Sequence, residues 1–303
     1  MEFGLEKEVG AVQFLQRRPH LCYVAASETI HLLDTRKFSD VVESYTFTDE
    51  PINCLAVNEK EEYLAACDDD GDVIVVNITQ ERKAPKKLRG HKNICSSVTF
   101  RPKRPWDVLS AGYDQRVLQW DFSKAKILCD INIAEMGVSP DEFDSYIVNP
   151  PFIASMSLSL DGRHLACGTA SNVIKVFDSS KRTLSYAITL NKHTAGVSCV
   201  HFSQFDPATL ISGGVDCKSH FWNMNDISEE PLTNGFAHSN GSGDVSEGAQ
   251  AAGAAAGVSE PQFSIDHGHK INCIATGSTA SRKYVIVTDI RSDATVYEYP
   301  QEI

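Results

Sequence analysis

The chain has 303 residues, a length that suggests two domains at about 150 residues each, although repeat folds reach it as a single domain. Hydrophobic residues make up 42% and charged residues 22% of the chain, an average globular composition that excludes collagen, a coiled coil and wholesale disorder. The formal charge is -12, from 28 Lys and Arg against 40 Asp and Glu, and so acidic a protein disfavours nucleic acid as a partner.

Short runs of alternating apolar residues, separated by turn residues, recur along the chain and predict β-strands. In chain order they form six units of about 40 residues, each with three predicted strands and room for a fourth. The units span residues 5–40, 45–80, 88–124, 151–182, 190–226 and 263–303. Because four short strands in about 40 residues are typical of a propeller blade, we predict a single all-β domain, a β-propeller over residues 1–303.

The third and fifth units repeat four residue types at one spacing. A His opens the unit, a Ser lies in the second predicted strand, an Asp lies in the following turn, and a Trp ends the third strand. Each member in the fifth unit lies 102 positions after its counterpart in the third. The counterparts are His91 and His193, Ser110 and Ser212, Asp114 and Asp216, and Trp120 and Trp222.

Two stretches interrupt the series of units. Residues 125–150 become acidic toward their end, and we predict a polar insert there. Residues 227–262 are rich in Gly, Ala and Ser and have too little apolar surface to offset their ordering entropy. Because Gly253 and Gly257 also disfavour a helix, the second stretch is predicted to be a disordered loop.

The cysteines and the N-terminal residues both indicate the cellular compartment in which the protein is expected. The nine cysteines include no C-x-x-C pair, so neither a zinc site nor a disulfide framework is supported. No run of 18 or more apolar residues occurs, and the first ten residues lack the apolar region of a signal peptide. We therefore expect an intracellular protein, cytoplasmic or nuclear, that does not cross a membrane.

The landmarks Gly90-His91, Asp114 and Trp120-Asp121 resemble those of the WD-repeat β-propeller proteins. The resemblance implies an all-β WD-repeat β-propeller with six recognisable blades. The order of the motifs further resembles one group of this family whose members start with one more blade. The sequence therefore leaves open whether the ring closes with six blades or whether the chain is a seven-bladed member without its first blade.

His, Ser and Asp are also the residue types of a hydrolase triad. An active site needs one such set in one cleft, whereas here the set occurs twice, each time with a Trp. In the WD-repeat family the four groups form a buried hydrogen-bonded chain that fastens the strands of a blade together. The resemblance thus implies two structural tetrads and no enzyme, and it leaves a propeller hydrolase as the least favoured alternative.

No nucleotide, dinucleotide or zinc-protease motif is present, and no cofactor or metal is expected. A basic run over residues 82–89, with Arg101, Lys103 and Arg104 nearby, is a candidate contact for phosphates or an acidic partner. The alternative is a solvated outer strand and loop. It is favoured because the aromatic platforms of a nucleic-acid site are absent.

A propeller presents loops on two faces of a rigid body, so binding is expected there. In the WD-repeat family the top face is lined at fixed positions relative to the repeat His and the turn Asp. Carried over to this sequence, the positions predict top-face residues Asn53, Asp69, Ser96, Tyr113, Phe152, Lys270 and Asn272. Tyr113 and Phe152 are the expected anchors, because aromatics among polar neighbours make hot spots. The alternative for both rings is ordinary channel packing.

A second candidate surface lies at the end of the first unit. Asp34 and Arg36 partly match the box by which many WD-repeat proteins dock onto the adaptor of cullin-RING ubiquitin ligases, although Leu33 stands where that box has Trp. The alternative is an ordinary exposed ion pair. The leading hypothesis is a monomeric, non-catalytic scaffold that joins this adaptor to a substrate protein. A scaffold in a chromatin or signalling complex is the alternative.

Overall fold

A computed structural model of the chain describes residues 7–37, 41–80, 84–136, 150–226, 260–291 and 293–300. These residues form short β-strands and two single-turn 3-10 helices, Ile133–Glu135 and Met224–Asp226. In chain order the strands are β1 Val9–Phe14, β2 Leu21–Ala26, β3 Thr29–Asp34, β4 Val41–Thr46, β5 Ile52–Val57, β6 Tyr63–Asp68, β7 Asp72–Asn77, β8 Lys86–Arg89, β9 Cys95–Phe100, β10 Asp107–Gly112, β11 Arg116–Asp121, β12 Lys126–Asn132, β13 Ile153–Leu158, β14 His164–Thr169, β15 Val173–Asp178, β16 Ser185–Asn191, β17 Val197–Phe202, β18 Thr209–Gly214, β19 Lys218–Asn223, β20 Phe263–Asp266, β21 Ile271–Ser278, β22 Lys283–Asp289 and β23 Ala294–Tyr299.

The strands pair into six antiparallel sheets, each made of consecutive strands. The first five sheets have four strands, and the sixth has three among the described residues. The first strand of each sheet from the second onward packs against the preceding sheet, so the sheets follow one another as blades. The prediction of an all-β propeller with six recognisable blades is confirmed.

The core lies between the blades. The two middle strands of a blade are covered on both faces, which explains why runs such as Val73 to Val76 are apolar without alternation. Each pair of successive blades shares one cluster of buried side chains, five clusters in all. Trp120 and Trp222 are the largest side chains in two of them. Burial at these interfaces is the main driving force of the fold.

In four blades the residue immediately before the third strand is left-handed, and the shorter turn of the first blade has a left-handed residue at Ser27. Gly71 has a φ of 81°, and the equivalent residues Gln115, Asn172 and Cys217 have φ values of 65°, 70° and 65°. Glycine adopts this conformation freely, whereas the other three residues adopt it at a cost in strain. The turn geometry is therefore held by its surroundings in three blades.

The predicted units differ from the blades at their outer strands. In the first five blades the outer strand lies outside the predicted unit of its own blade, and these strands are β4, β8, β12, β16 and β20. The predicted polar insert over 125–150 begins with strand β12, the outer strand of the third blade, and its residues 137–149 lie outside the described residues. Strand β20, which we assigned to the sixth unit, pairs with β19 in the fifth blade. Residues 227–259 of the predicted loop lie outside the described residues. The outer strands were missed because they are short and partly exposed.

The first and last strands of the series lie in different sheets. Strand β1 pairs with β2, and β23 pairs with β22. Among the described residues, the first and sixth blades also do not pack against each other as successive blades do. Over the part of the chain that the structure describes, the series therefore runs from the first blade to the sixth without an interface of that kind between them.

Candidate functional site

The side chains predicted to form the tetrads are joined by hydrogen bonds in both blades. In the fifth blade the Trp222 indole N–H donates to Ser212 Oγ over 3.0 Å, and this hydroxyl donates to His193 Nε2 over 2.8 Å. His193 Nδ1 lies 3.0 Å from both Asp216 carboxylate oxygens. The third blade repeats this chain with Trp120, Ser110, His91 and Asp114.

Burial of the fifth-blade tetrad sets its electrostatics. Desolvation lowers the pKa of His193 and is only partly opposed by Asp216. Burial raises the pKa of Asp216, but hydrogen bonds from the Thr194 backbone N–H and from His193 outweigh it, so the net pKa is lowered. An ionised Asp216 thus holds a neutral His193 in a single orientation.

The geometry gives the tetrads a structural use. Ser212 is fully buried, and its hydroxyl already receives the Trp222 indole proton while it donates to His193. A hydrolytic serine must instead reach a substrate carbonyl. The tetrad ties the second and third strands of the blade to the turn before its first strand, which is how a low-dielectric polar network specifies one packing.

Two further blades carry reduced networks: the last repeat keeps its histidine, His267, and the second has Thr48, for which the sequence pattern shows no signal. In the second blade Thr48 takes the position of the repeat His and donates to Asp68 over 2.7 Å. In the sixth blade His267 contacts Asp289 over 2.9 Å and the Tyr297 hydroxyl over 2.7 Å. The sequence places Asp70 and Asp293 in the turns of these blades, where the tetrads have their Asp, but the carboxylates that form the bonds are Asp68 and Asp289, each at the end of the second strand. Counting four residues back from each inner strand finds Thr48 and His267.

His220 adds a fifth group to one tetrad. Its ring lies edge-on to that of His193 with centroids 4.4 Å apart, and its Nδ1 contacts Ser264 Oγ over 2.6 Å. Its Nε2 is buried without a hydrogen-bond partner among the described residues. The third blade has Leu118 at this position, since Ser110 pairs with Leu118 as Ser212 pairs with His220.

The same neighbourhood is the one group in the described part of the chain with the spacing of metal ligands. His193, Asp216 and His220 offer ligand atoms within 4.8 Å of one another. Two of the three are already bonded to each other, so a cation here would have to break the tetrad. We therefore interpret the trio as part of the structural network.

We expect a His220→Leu variant to be at least as stable as the parent at pH 7, because it removes an unsatisfied buried nitrogen whose cost is about 1–3 kcal/mol. Burial lowers the pKa of His220 to about 4, below its unfolded value of about 6.5. The contribution of His220 to stability is therefore complete above pH 6.5 and is lost as the pH falls toward 4. Urea unfolding at pH 7 and pH 5 measures both effects, and the variant should lose less stability than the parent. An equal loss in both proteins would contradict this assignment.

The two predicted aromatic anchors lie together at the top face. The rings of Tyr113 and Phe152 are stacked with centroids 5.7 Å apart, and they come from neighbouring blades. Tyr113 is 37% exposed and Phe152 is half-buried. Stacking fixes Tyr113 with one ring face covered, which leaves a rigid amphipathic surface of the kind found at hot spots.

The polar top-face residues connect the blades as well as facing solvent. Asn53 donates to Asp69 over 2.9 Å and to the Cys95 carbonyl of the next blade over 3.2 Å. Ser96 donates to the Ile153 carbonyl of the next blade over 2.6 Å. Such side chains have little freedom left to bind a partner. The exposed groups at this face include Lys270 and Asn272, both in the sixth blade.

The predicted docking pair forms a two-pronged ion pair at the end of β3. Arg36 Nε lies 3.0 Å from Asp34 Oδ1, and Arg36 Nη2 lies 2.7 Å from Asp34 Oδ2. Hydrogen bonds from Arg36 lower the pKa of the Asp34 carboxyl well below its usual range. The Arg36 side chain remains 63% exposed, so the pair presents a fixed guanidinium to solvent.

The structure argues against the predicted contact between the basic residues and phosphates or an acidic partner. Arg101 is buried, and its guanidinium donates to Asp107 and to the carbonyls of Ser179, Lys181 and Arg182. Of the run over 82–89, Lys87 and Arg89 lie near Asp72, and Lys86 donates to backbone carbonyls. Arg101 therefore joins the third blade to the fourth and is not a phosphate contact.

A cavity of about 290 Å³ lies at the opposite ends of the inner strands, where the sequence analysis predicts no site. Its apolar wall comes from Phe14, Val57, Phe100 and Leu158, the last residues of the inner strands of the first four blades, and Glu61 adds a charge. The positions are equivalent from blade to blade. Aligning the inner strands would have found them.

Residues 41–77, 82–121 and 185–223 match the family described as WD domain, G-beta repeat (WD40). Each matched segment contains the outer strand of one blade followed by the first three strands of the next blade. Over the described residues, no helix is long and apolar enough to cross a membrane. The resemblance predicted from the His, Asp and Trp landmarks is confirmed.

Known proteins of this type are similar to the chain. The WD repeat-containing protein 53 homolog of Dictyostelium discoideum is 28% identical over 267 residues, which cover 82% of this chain and 67% of that protein. The WD repeat-containing protein VIP3 of Arabidopsis thaliana is 29% identical over 38% of this chain and 34% of its own length. A chain in a crystal structure of the mitotic checkpoint complex has a TM-score of 0.68 at 14% identity, covering 96% of this chain and 74% of that one. That likeness shows the fold alone.

Proposed function

We propose that this chain, a WD-repeat β-propeller protein, joins the adaptor of a cullin-RING ubiquitin ligase to a substrate protein. A protein-interaction scaffold is the general function that the WD40 repeats and WD-repeat relatives support. In this proposal the protein is a non-catalytic, intracellular scaffold that binds the adaptor at Arg36 and the substrate at the top face.

The observation that carries the proposal is the fixed guanidinium of Arg36. Asp34 uses both carboxylate oxygens on Arg36 and is itself buried, so the Arg36 side chain is oriented before any partner arrives. Preorganisation reduces the entropy lost on binding. Arg36 keeps N–H donors for a carboxylate or carbonyl of the adaptor.

The top face supplies a separate surface for the substrate. The stacked pair Tyr113 and Phe152 offers an aromatic anchor, and Lys270, which the sequence pattern assigns to the same face, is exposed. This combination favours a polypeptide segment with an apolar side chain next to an acidic one. Because the aromatic pair and Arg36 lie on different blades, the substrate and the adaptor would contact separate surfaces.

The test is a pull-down of the purified adaptor with the parent chain and with Arg36→Ala. Arg291→Ala is the matched control, because Arg291 also binds an Asp, Asp289, through Nε and Nη2 and is exposed on another blade. We expect Arg36→Ala to weaken adaptor binding about tenfold or more, equivalent to about 1.4 kcal/mol. Arg291→Ala should bind like the parent.

Two outcomes would count against the ligase role. Equal adaptor recovery with Arg36→Ala and the parent would remove Arg36 from the interface. No recovery with a correctly folded parent would favour the alternative, a scaffold in a chromatin or signalling complex. Melting temperatures of all three proteins show whether they are folded.

A further inference from the structure

Two turns at the lower end of the first blade, the end opposite the top face, carry a cluster of cationic side chains. The turn between β1 and β2 contains Arg17 and Arg18, and the turn after β3 contains Arg36 and Lys37. All four residues are exposed, and the described residues of the two turns, 15–20 and 35–37, include no Asp or Glu. These four residues are called the basic surface.

Hydrogen bonds to one backbone carbonyl hold the two turns side by side. The backbone N–H of Thr35 donates to the His20 carbonyl over 2.8 Å, and the Thr35 hydroxyl donates to the same oxygen over 3.1 Å. Next to this contact, Leu21 at the start of β2 pairs with Asp34 at the end of β3. The backbone of the blade therefore brings the four positive charges together before any partner binds.

Two buried carboxylates orient one guanidinium each. Asp34 accepts hydrogen bonds from Arg36 on both of its carboxylate oxygens. Glu61 of the second blade is 7% exposed. It accepts the backbone N–H of Arg17 over 2.5 Å and the Nε–H of Arg18 over 3.3 Å. Each of the two turns is thus fixed by a carboxylate that lies beneath it.

The basic surface keeps a surplus of positive charge and of hydrogen-bond donors. Arg17 and Lys37 have no ion-pair partner for their side chains among the described residues. The side chains of Arg18 and Arg36 remain 49% and 63% exposed, and each guanidinium has N–H groups beyond those already bonded. Like charges held close together repel one another, and an anionic partner would relieve this repulsion.

The equivalent turn of the third blade is also basic, but its arginines are used inside the molecule. Arg101 is buried and bonds Asp107 and three backbone carbonyls. Arg104 donates to two backbone carbonyls. Of the basic residues in this turn, Lys103 alone is exposed without an ion-pair partner among the described residues. This comparison favours the first blade as the place where an external anion binds.

We propose that the basic surface binds an acidic polypeptide segment. A polypeptide fits better than a nucleic acid, because the formal charge of -12 on the chain repels a long phosphate backbone. The described residues of the two turns also include no Phe, Tyr or Trp on which a base could stack. The inference deepens the proposed function, because Arg36 belongs to this surface, and it rests on that function where it assigns the acidic segment to the adaptor.

The test uses a fluorescein-labelled peptide of about ten Glu residues as the probe and measures its binding to the full chain by fluorescence anisotropy. Raising the NaCl concentration from about 50 to about 200 mM should weaken binding to the parent about threefold or more. Arg17→Glu together with Lys37→Glu should weaken it about tenfold or more. Because neither side chain has an ion-pair partner among the described residues, the melting temperature of this variant should match that of the parent.

Lys92→Glu together with Lys103→Glu is the matched control. Both lysines are exposed in the third blade, and neither has an ion-pair partner among the residues that the structure describes. The pair of substitutions makes the same change in net charge. Because salt screens distant charges, this variant should bind the peptide within about twofold of the parent.

Three results would overturn the proposal. The first is a folded parent that does not bind the peptide, and the second is an equal loss of binding in the two double variants. The third is tighter binding of an oligouridine of about the same charge as the peptide, which would make a nucleic acid the ligand.

The purified adaptor separates this inference from the proposed function. If Arg36→Ala weakens adaptor binding but Arg17→Glu with Lys37→Glu does not, the ligase role stands and the wider basic surface is wrong. If the parent binds the peptide at the basic surface but does not bind the adaptor, the ligase role is wrong and the acidic segment belongs to another protein.

Discussion

Replacing His193 by Ala is expected to lower the free energy of unfolding by about 2–4 kcal/mol. The substitution leaves Asp216 and Ser212 without their common partner in a buried site, and the Trp222 indole then donates to a hydroxyl that has lost its acceptor. Unsatisfied buried groups carry their full desolvation cost. Urea unfolding monitored by tryptophan fluorescence measures the change.

The matched control is His164→Ala. His164 is half-buried at the start of β14 and belongs to neither tetrad, so a change within about 0.5 kcal/mol is expected. His91→Ala in the third blade should match His193→Ala, because its contacts have the same geometry. An unchanged melting temperature in His193→Ala would show that the tetrad does not stabilise its blade.

Arg101→Ala is expected to be the most destabilising single change, by about 3–5 kcal/mol. The Arg101 guanidinium is buried and bonds Asp107 together with three carbonyls of the turn over residues 179–182. Its removal leaves Asp107 with Gln119 as a donor but without its cation. Thermal and urea unfolding both measure this loss.

Arg104 provides the control for Arg101. It reaches the same turn and donates to the carbonyls of Ser180 and Lys181, but Arg104 is only partly buried and these hydrogen bonds are exposed to solvent. We therefore expect Arg104→Ala to cost no more than about 1 kcal/mol. Equal losses in the two variants would mean that burial of Arg101 does not matter.

The two complete tetrads were predictable because their residue types and spacing repeat. A fixed offset of 102 positions between His91 and His193 needs no structure to be seen. The propeller follows from the same periodicity, since each unit alone has too little core and stacking supplies the rest. Strands β12 and β20 were assigned wrongly because outer strands are half-exposed and carry a weaker apolar pattern.

Contacts between blades could not be predicted from single repeats. In the sequence Arg101 is one of several neighbouring basic residues. Its role in joining two blades is visible only where the turn over residues 179–182 approaches its guanidinium. Ser96 likewise reads as a surface residue, whereas it donates to a carbonyl of the next blade. These bonds depend on the distance between two units that lie far apart along the chain.

Over the described residues the blades form, in thermodynamic terms, a linear array of units, because the first and sixth blades each pack closely against one neighbouring blade and the four between them against two. An interior unit of such an array is held by two interfaces and a terminal unit by one, so local opening costs the least free energy at the termini. Both complete tetrads lie in interior units, the third and the fifth. Opening can therefore start at either terminal blade while both tetrads stay intact, which makes partial unfolding graded from the ends inward.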